Sequence, residues 1–248
     1  MAHRADASVA GVAKYLPSYA GFLLEEEIKG LTKVLKQAKR PFVAIVGGAK
    51  METKVPVMKA LLPKVDHLLI GGGIHNTYLA ARGYDVGESL IDENQKHVAL
   101  AYGKKKKVVL PVDVIVGTQD GSVYRVVDIE KKPHVVCKKG EAIYDMGPRS
   151  IRLFSSHIKN ARTLLWNGAM GYFEQRPYYV GTYAVARLIA SRAKGSAFGV
   201  IGGGETVQSM EDVGMSEDVD LISTGGGALL EFLAGKKLPG IVALMKKK

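Results

Sequence analysis

Apolar positions along this chain follow two periods. Short continuous runs at Phe42–Val46, His67–Ile70, Thr163–Trp166, Ala197–Ile201 and Leu221–Ser223 read as strands buried on both faces. Between them, apolar residues recur every three or four positions. Tyr19–Gln37 is the strongest such segment, with Phe22, Leu23, Ile28, Leu31, Val34 and Leu35 on one stripe. Lys54–Val65 predicts a helix with Pro56 in its first turn, and Asn76–Arg82 a short helix stopped by Gly83. Glu93–Tyr102, Pro148–Asn160, Thr182–Lys194, Thr206–Val213 and Ala228–Leu233 complete the helical set. Val108–Leu110 and Val112–Val116 form a further strand region around Pro111. Residues 117–145 differ: the turn Gln119–Ser122, the alternating Val123–Ile129 and the short Val135–Cys137 predict a β excursion from the main sheet. The alternation of strand and helix predicts an α/β domain, with a mainly parallel sheet and helices on both faces in three αβα layers.

Each of the five apolar runs ends in glycine: Gly47-Gly48, Gly71-Gly72-Gly73, Asn167-Gly168, Gly202-Gly203-Gly204 and Gly225-Gly226-Gly227. In a parallel sheet these turns share the carboxyl edge, where open α/β sheets bind ligands. Glycine admits close backbone approach and is expected to point bare N–H groups at the ligand, which suits a nucleotide phosphate chain.

Composition narrows the class. The chain is 47% hydrophobic and 24% charged, and its 29 glycines are concentrated in these turns. The net charge of +11 favours anionic partners. Much of the excess lies in Lys104–Lys107 and Lys246–Lys248, which read as solvated runs without interleaved aromatics, so no nucleic acid is expected as partner. A lone cysteine, Cys137, excludes an internal disulfide and reads as a small buried residue. Neither a signal-peptide core nor a membrane-length apolar run is visible, and a cytoplasmic protein is expected.

Several familiar motifs are absent. Gly202-x-Gly204 has Val207, and Gly71-x-Gly73 has Asn76, where a dinucleotide fingerprint needs its third glycine. There is no P-loop, nucleophile elbow or zincin motif, and the six histidines (3, 67, 75, 97, 134 and 157) lack metal-ligand spacing. What remains is a constellation. Lys50 and Lys54 flank the first glycine turn and stand one helical turn apart, placed to hold phosphates. Glu205 follows three glycines at the start of a helix and is a candidate Mg²⁺ ligand beside bound phosphate. Gly225–Gly227 open another helix. Together these point to phosphoryl transfer by positioning and charge neutralisation.

The order and wording of these segments resemble the phosphoglycerate kinase family across essentially the whole chain. Arg40–Lys50, Leu68–Gly73, Leu110–Val114, Asp145–Pro148, Trp166–Glu174, Ile201–Gly204, Ile222–Ala228 and Leu238–Gly240 carry the likeness. The resemblance implies Mg²⁺-dependent phosphoryl transfer between 1,3-bisphosphoglycerate and ADP, giving 3-phosphoglycerate and ATP, on two Rossmann-like lobes that close by a hinge. This chain resembles the nucleotide lobe. Residues 1–18 would be the end of a first lobe, 19–38 the inter-lobe helix and 39–248 the nucleotide-binding domain.

By that resemblance Lys50 and Lys54 contact phosphates, and Gly71, Gly72 and Gly73 border the adenine. Asn167 lies near the phosphates, Glu174 binds the ribose hydroxyls, and Gly202, Gly203, Gly204 and Thr206 complete the nucleotide site. Glu205 holds the metal, Gly225, Gly226 and Gly227 face the transferring phosphoryl with Lys50, and Arg4 matches an arginine used on the glycerate phosphate. Three positions depart from the pattern: Glu205 stands for a usual Asp, Ala169 for a usual Pro, and Asp6 for a common His. The first lobe, which grips 3-phosphoglycerate, is not in this sequence. The chain is therefore expected to be a monomer, or paired with a complementary lobe, and to turn over very slowly alone. The competing reading is a nucleotide-binding or regulatory module without catalysis.

Overall fold

The computed structural model describes residues 1–133 and 135–245. His134 and the Lys246–Lys248 run lie outside the described residues. Six strands form one wholly parallel sheet: β1 (Phe42–Val46), β2 (His67–Ile70), β3 (Val108–Val109), β7 (Thr163–Asn167), β8 (Phe198–Gly202) and β9 (Leu221–Ser223). Their spatial order is β3-β2-β1-β7-β8-β9. The chain winds outward from β1 in one direction, then restarts at β7 and winds outward in the other. Val46 is in register with Ile70 on one side and Asn167 on the other. All five glycine turns therefore share the carboxyl edge, and the order reverses between the turns after β1 and β7.

Alternate residues of the central strands feed two cores. Phe42, Ala44, Val46, Leu68, Ile70, Leu165 and Val200 face α1 (Phe22–Lys36), α2 (Met51–Leu61), α4 (Lys96–Gly103) and α8 (Gly227–Leu233). Val43, Ile45, Leu69, Leu164, Trp166 and Ile201 face α5 (Pro148–Asn160), α6 (Val180–Ala193) and α7 (Gly204–Asp212). The layers are α, β, α, as the pattern predicts.

The β excursion is larger than the sequence pattern indicates. β4 (Asp113–Gly117), β5 (Tyr124–Asp128) and β6 (Ala142–Met146) make a separate antiparallel sheet in the order β5-β4-β6. Pro111 separates β3 from β4, so the apolar stretch expected as one strand region is divided between two sheets. Val135–Cys137 forms only an isolated bridge to Asp85. The small sheet has its own core of Val114, Val116, Val127, Val136 and Ile143, closed by Leu79 of α3 (Gly72–Ala81). Cys137 is buried in it, and burial pushes its thiol up to about 11.

Two helices start earlier than their apolar stripes. α2 begins at Met51, so Pro56 is its sixth residue and lies beyond the first turn. α3 begins at Gly72, so Gly72 and Gly73 belong to its first turn. Both shifts come from the turns, whose backbone already runs helically before the amphipathic stripe appears. The helix predicted over Tyr19–Gln37 is α1, three residues shorter at its start and one at its end, and it buries Glu27, Leu31 and Val34. Residues 7–14 form one π and one 3₁₀ turn, and the Gly240 amide of α9 (Pro239–Met245), an element the apolar pattern does not predict, donates to the Ala2 carbonyl at 2.9 Å. No helix among the described residues is long and apolar enough to cross a membrane.

Phe42 is fully enclosed at the centre of the first core. Phe42→Ala is expected to cost about 3–5 kcal/mol through lost burial and the cavity left behind. Urea unfolding followed by circular dichroism measures it, and a loss below 1 kcal/mol would show that the site collapses freely.

Candidate functional site

A cleft of ≈ 390 Å³ opens where the strand order reverses. Its floor is the knot of turns at the sheet edge. The Gly47 amide donates to Asn167 O at 3.0 Å, Gly48 to Ala169 O at 2.7 Å, Gly72 to Met170 O at 3.1 Å and Gly73 to Gly48 O at 3.0 Å. The expectation of bare N–H groups is corrected here: these amides are consumed in tying the turns to one another. Close approach of backbone to backbone is what the glycines supply. At Gly168, φ is +95° and a Cβ would lie 2.4 Å from the Gly47 carbonyl oxygen, so no other residue fits without rearrangement.

Free N–H groups border the site at the start of α7. α7 starts at Gly204 with no side-chain cap, so its first-turn amides lack intrahelical acceptors. Gly203 precedes it at φ +101°, and a Cβ there would stand 2.8 Å from Asn167 Nδ2. Buried Thr206, in the same first turn, accepts the Gly168 amide on Oγ1 at 2.7 Å. Asn167 donates through Nδ2 to Gly202 O at 2.5 Å and accepts from Lys54 Nζ on Oδ1. Burial lowers the Lys54 pKa, and the Glu205 carboxylate partly restores it. A Cβ on Gly48 would be 3.6 Å from both Glu205 Oε2 and Lys54 Cε, so these opposite charges flank the same glycine. Lys54, Asn167, Gly202, Gly203, Gly204 and Thr206 thus gather around Glu205, which itself lines the cleft.

The rest of the cleft is mainly apolar, with Gln119 and buried Asp145 among its lining. Leu90, Pro111, Val114, Ile143, Tyr144 and Met146 line it, with Gly72, Gly73, His75 and Asn76 of α3 on one flank and Ala169–Glu174 on the other. Most of this wall comes from the small sheet, to which no site residue is assigned from the sequence. Its signals there are the Leu110–Val114 and Asp145–Pro148 segments. Asn76 Nδ2 reaches Ile143 O at 3.4 Å, joining α3 to β6. His75 is buried, Nε2 has no hydrogen-bond partner, and burial pushes its pKa down to about 3.

Other candidates lie elsewhere. Gly71 is buried under the floor, with Met170 Sδ 2.8 Å from where its Cβ would be. Lys50 is exposed as the residue before α2. Gly226 and Gly227 are exposed, and Gly227 packs against the His3 ring. Arg4 is exposed and lies 3.7 Å from Asp6. The loop leading to Gly225 is anchored by a residue the sequence pattern does not single out. Buried Glu27 of α1 accepts from Ser223 Oγ at 2.6 Å and from the Thr224 amide at 2.7 Å.

One carboxylate, Glu205, borders the charged end, and no group of three or more acidic, His or Cys side chains that could hold a metal occurs among the described residues. That donor set fits Mg²⁺ carried in with phosphate oxygens and water, and does not fit an all-protein metal cage.

Comparison with known proteins is consistent with this geometry. The family model described as Phosphoglycerate kinase matches residues 1–236. The chain is 46% identical over 253 residues to the phosphoglycerate kinase of Moorella thermoacetica and 43% identical over 250 residues to that of Chloroflexus aurantiacus. These alignments cover 99% and 98% of this chain but only 62% and 61% of those proteins. Among solved structures, the phosphoglycerate kinase of Coxiella burnetii superposes with a TM-score of 0.87 at 38% identity, covering 98% of this chain and 63% of that one. That of Pyrococcus horikoshii gives 0.82 at 30% identity, covering 98% and 61%.

Two outcomes test the local energetics. Thr206→Val leaves the Gly168 amide buried without an acceptor and is expected to destabilise by about 1–3 kcal/mol, while Thr206→Ser costs less. His75 takes up a proton near pH 6.5 when unfolded but near pH 3 when folded. Its contribution to stability is therefore complete above pH 6.5 and falls by about 1.4 kcal/mol per pH unit below it. Urea unfolding between pH 5 and 7.5 should show a shallower pH slope for His75→Leu than for wild type. Equal slopes would mean that His75 titrates normally in the folded chain.

Proposed function

The chain belongs to the phosphoglycerate kinase family, and on that premise we propose that it supplies the nucleotide-binding half of a phosphotransferase, holding MgADP or MgATP in the cleft at the strand-order reversal. The carrying observation is the convergence of Lys54, Asn167, Glu205 and the uncapped N-terminus of α7 at one end of a cleft whose other end is apolar. A nucleotide has the matching polarity, with charge at the phosphates and an apolar face on the base. The α7 amides and the Lys54 ammonium would hold the phosphates. Asn167 orients that ammonium. Lys50, exposed just before α2, would neutralise further phosphate charge. Glu174, on the flank, would take the ribose hydroxyls. Glu205 would hold Mg²⁺, which when bound neutralises charge on the phosphate oxygens.

The reaction assigned by this reading is reversible phosphoryl transfer between 1,3-bisphosphoglycerate and ADP, a step of glycolysis. Catalysis then rests on alignment and charge neutralisation, with Gly225–Gly227 facing the transferring group and Arg4 contributing to the glycerate side. The chain spans about three-fifths of the length of the relatives it matches. A complementary lobe is the partner this reading requires, and an exposed apolar strip supports it: Tyr15, Tyr19 and Phe22 are 85%, 87% and 94% exposed.

Calorimetric titration with ADP, with and without Mg²⁺, is the direct test. Micromolar to millimolar binding that responds to Mg²⁺ is expected. Lys50→Ala should weaken it by about 1.5–3 kcal/mol, the scale of a charged hydrogen bond. Glu205→Ala should abolish the Mg²⁺ response, and a surviving response would remove Glu205 from the metal site. Phosphoryl transfer is expected only when a glycerate-binding lobe is added; its absence on mixing would favour a binding module without catalysis.

A further inference from the structure

The apolar half of the cleft is held together by a buried carboxylate to which the proposed chemistry gives no task. Asp145, near the end of β6, lines the cleft and is 2% exposed. Its Oδ2 accepts the Gly181 amide in the first turn of α6 at 2.7 Å, and Oδ1 accepts the Met146 amide at 2.8 Å. No cation pairs with it among the described residues. Burial pushes its carboxyl up to about 8, against the two amides that favour the anion. Such a group is costly unless its contacts are needed.

Those contacts close a ring. Next to Gly181, Thr182 accepts on Oγ1 from the Met170 amide at 3.1 Å and the Gly171 amide at 3.3 Å. The chain continues to Tyr172, whose amide donates to Tyr144 O at 2.7 Å, returning to β6 one residue before Asp145. Both glycines beside the carboxylate are in tight contact with it: a Cβ on Gly171 or Gly181 would lie 2.6 or 2.2 Å from Oδ1. Tyr144, Asp145, Met170, Gly171 and Tyr172 all line the cleft. The charged end is secured by separate contacts, from Lys54 to Asn167, Asn167 to Gly202 and Gly168 to Thr206.

We propose that Asp145 is a positioning residue for the nucleoside half of the cleft, clamping β6 and the 170–174 segment to the first turn of α6 so that base and ribose meet a fixed wall. This rests on the nucleotide reading of the cleft. Asp145 touches no phosphate and takes no part in transfer. Its loss should loosen recognition of the nucleoside while the phosphate end stays intact.

The test compares ADP with inorganic pyrophosphate, which lacks the nucleoside, by calorimetry on the full chain. For Asp145→Asn, whose side-chain amide can accept from only one of the Gly181 and Met146 amides, the ADP dissociation constant should rise about tenfold, the scale of one buried hydrogen bond. Pyrophosphate affinity should stay within about twofold of wild type on the same scale. Thr182→Val should weaken ADP in the same selective way, with Thr182→Ser restoring it, which keeps the test open if Asp145→Asn fails to fold. Selective loss supports the proposal. Unchanged ADP binding, or equal loss of both ligands, overturns it while leaving the nucleotide reading in place. A wild-type chain that binds neither ligand overturns the nucleotide reading and the proposal with it.

Discussion

The hydrogen bond from the Gly48 amide to the Ala169 carbonyl, 2.7 Å long, joins the turns after β1 and β7 where the strand order of the sheet reverses. At this point the two halves of a doubly wound sheet diverge, and helices leaving in opposite directions open a crevice. Both turns must run backbone against backbone, which a Cβ at Gly47 or Gly168 would prevent. With the knot in place, α2, α3 and α7 all start at the edge of the same crevice, and Lys54 and Glu205 meet across Gly48.

The two ends of the crevice are built by different means. At the charged end, a half-buried ammonium accepts a desolvation cost that Asn167 and Glu205 offset, and the α7 amides stay free for an anion. At the apolar end, β4 and β6 of the small antiparallel sheet bring Val114, Ile143 and Tyr144 over the carboxyl edge of the main one. Tyr144 stacks on Tyr178 with ring centroids 4.6 Å apart, and the Tyr178 hydroxyl donates to Thr118 O, so the wall is braced from behind.

A second connection runs from α1 to the far edge of the sheet. Glu27 takes Ser223 and Thr224 into its carboxylate, fixing the loop that leads to Gly225–Gly227. The same helix presents Phe22 to solvent at its first residue. α1 is thus packed against the main domain through Leu31 and Val34, tied to a glycine loop through Glu27, and apolar at its exposed first two residues, Phe22 and Leu23, with Glu and Lys along the rest of its outer face. A partner seated on Tyr15, Tyr19 and Phe22 would bear on the helix that positions that loop.

The sequence by itself determined the five glycine-terminated strands of the main sheet and the layer order. Runs such as Phe42–Val46 are too short and too apolar to be anything but strands buried on both faces, and the glycines after them mark the edge where backbones approach closely. Lys54 and Glu205 were legible because charge beside such a turn is unusual. Tertiary structure decided the rest. Whether a glycine amide is free or spent depends on a carbonyl more than a hundred residues away, as for Gly48 and Ala169. The division of the Val108–Val116 stretch between two sheets depends on pairing partners that local pattern does not contain. Asp145, Glu27 and His75 look like ordinary polar positions in a linear reading. Their significance comes from burial and from the particular amides and hydroxyls that folding brings to them, and one-dimensional periodicity carries no information about either.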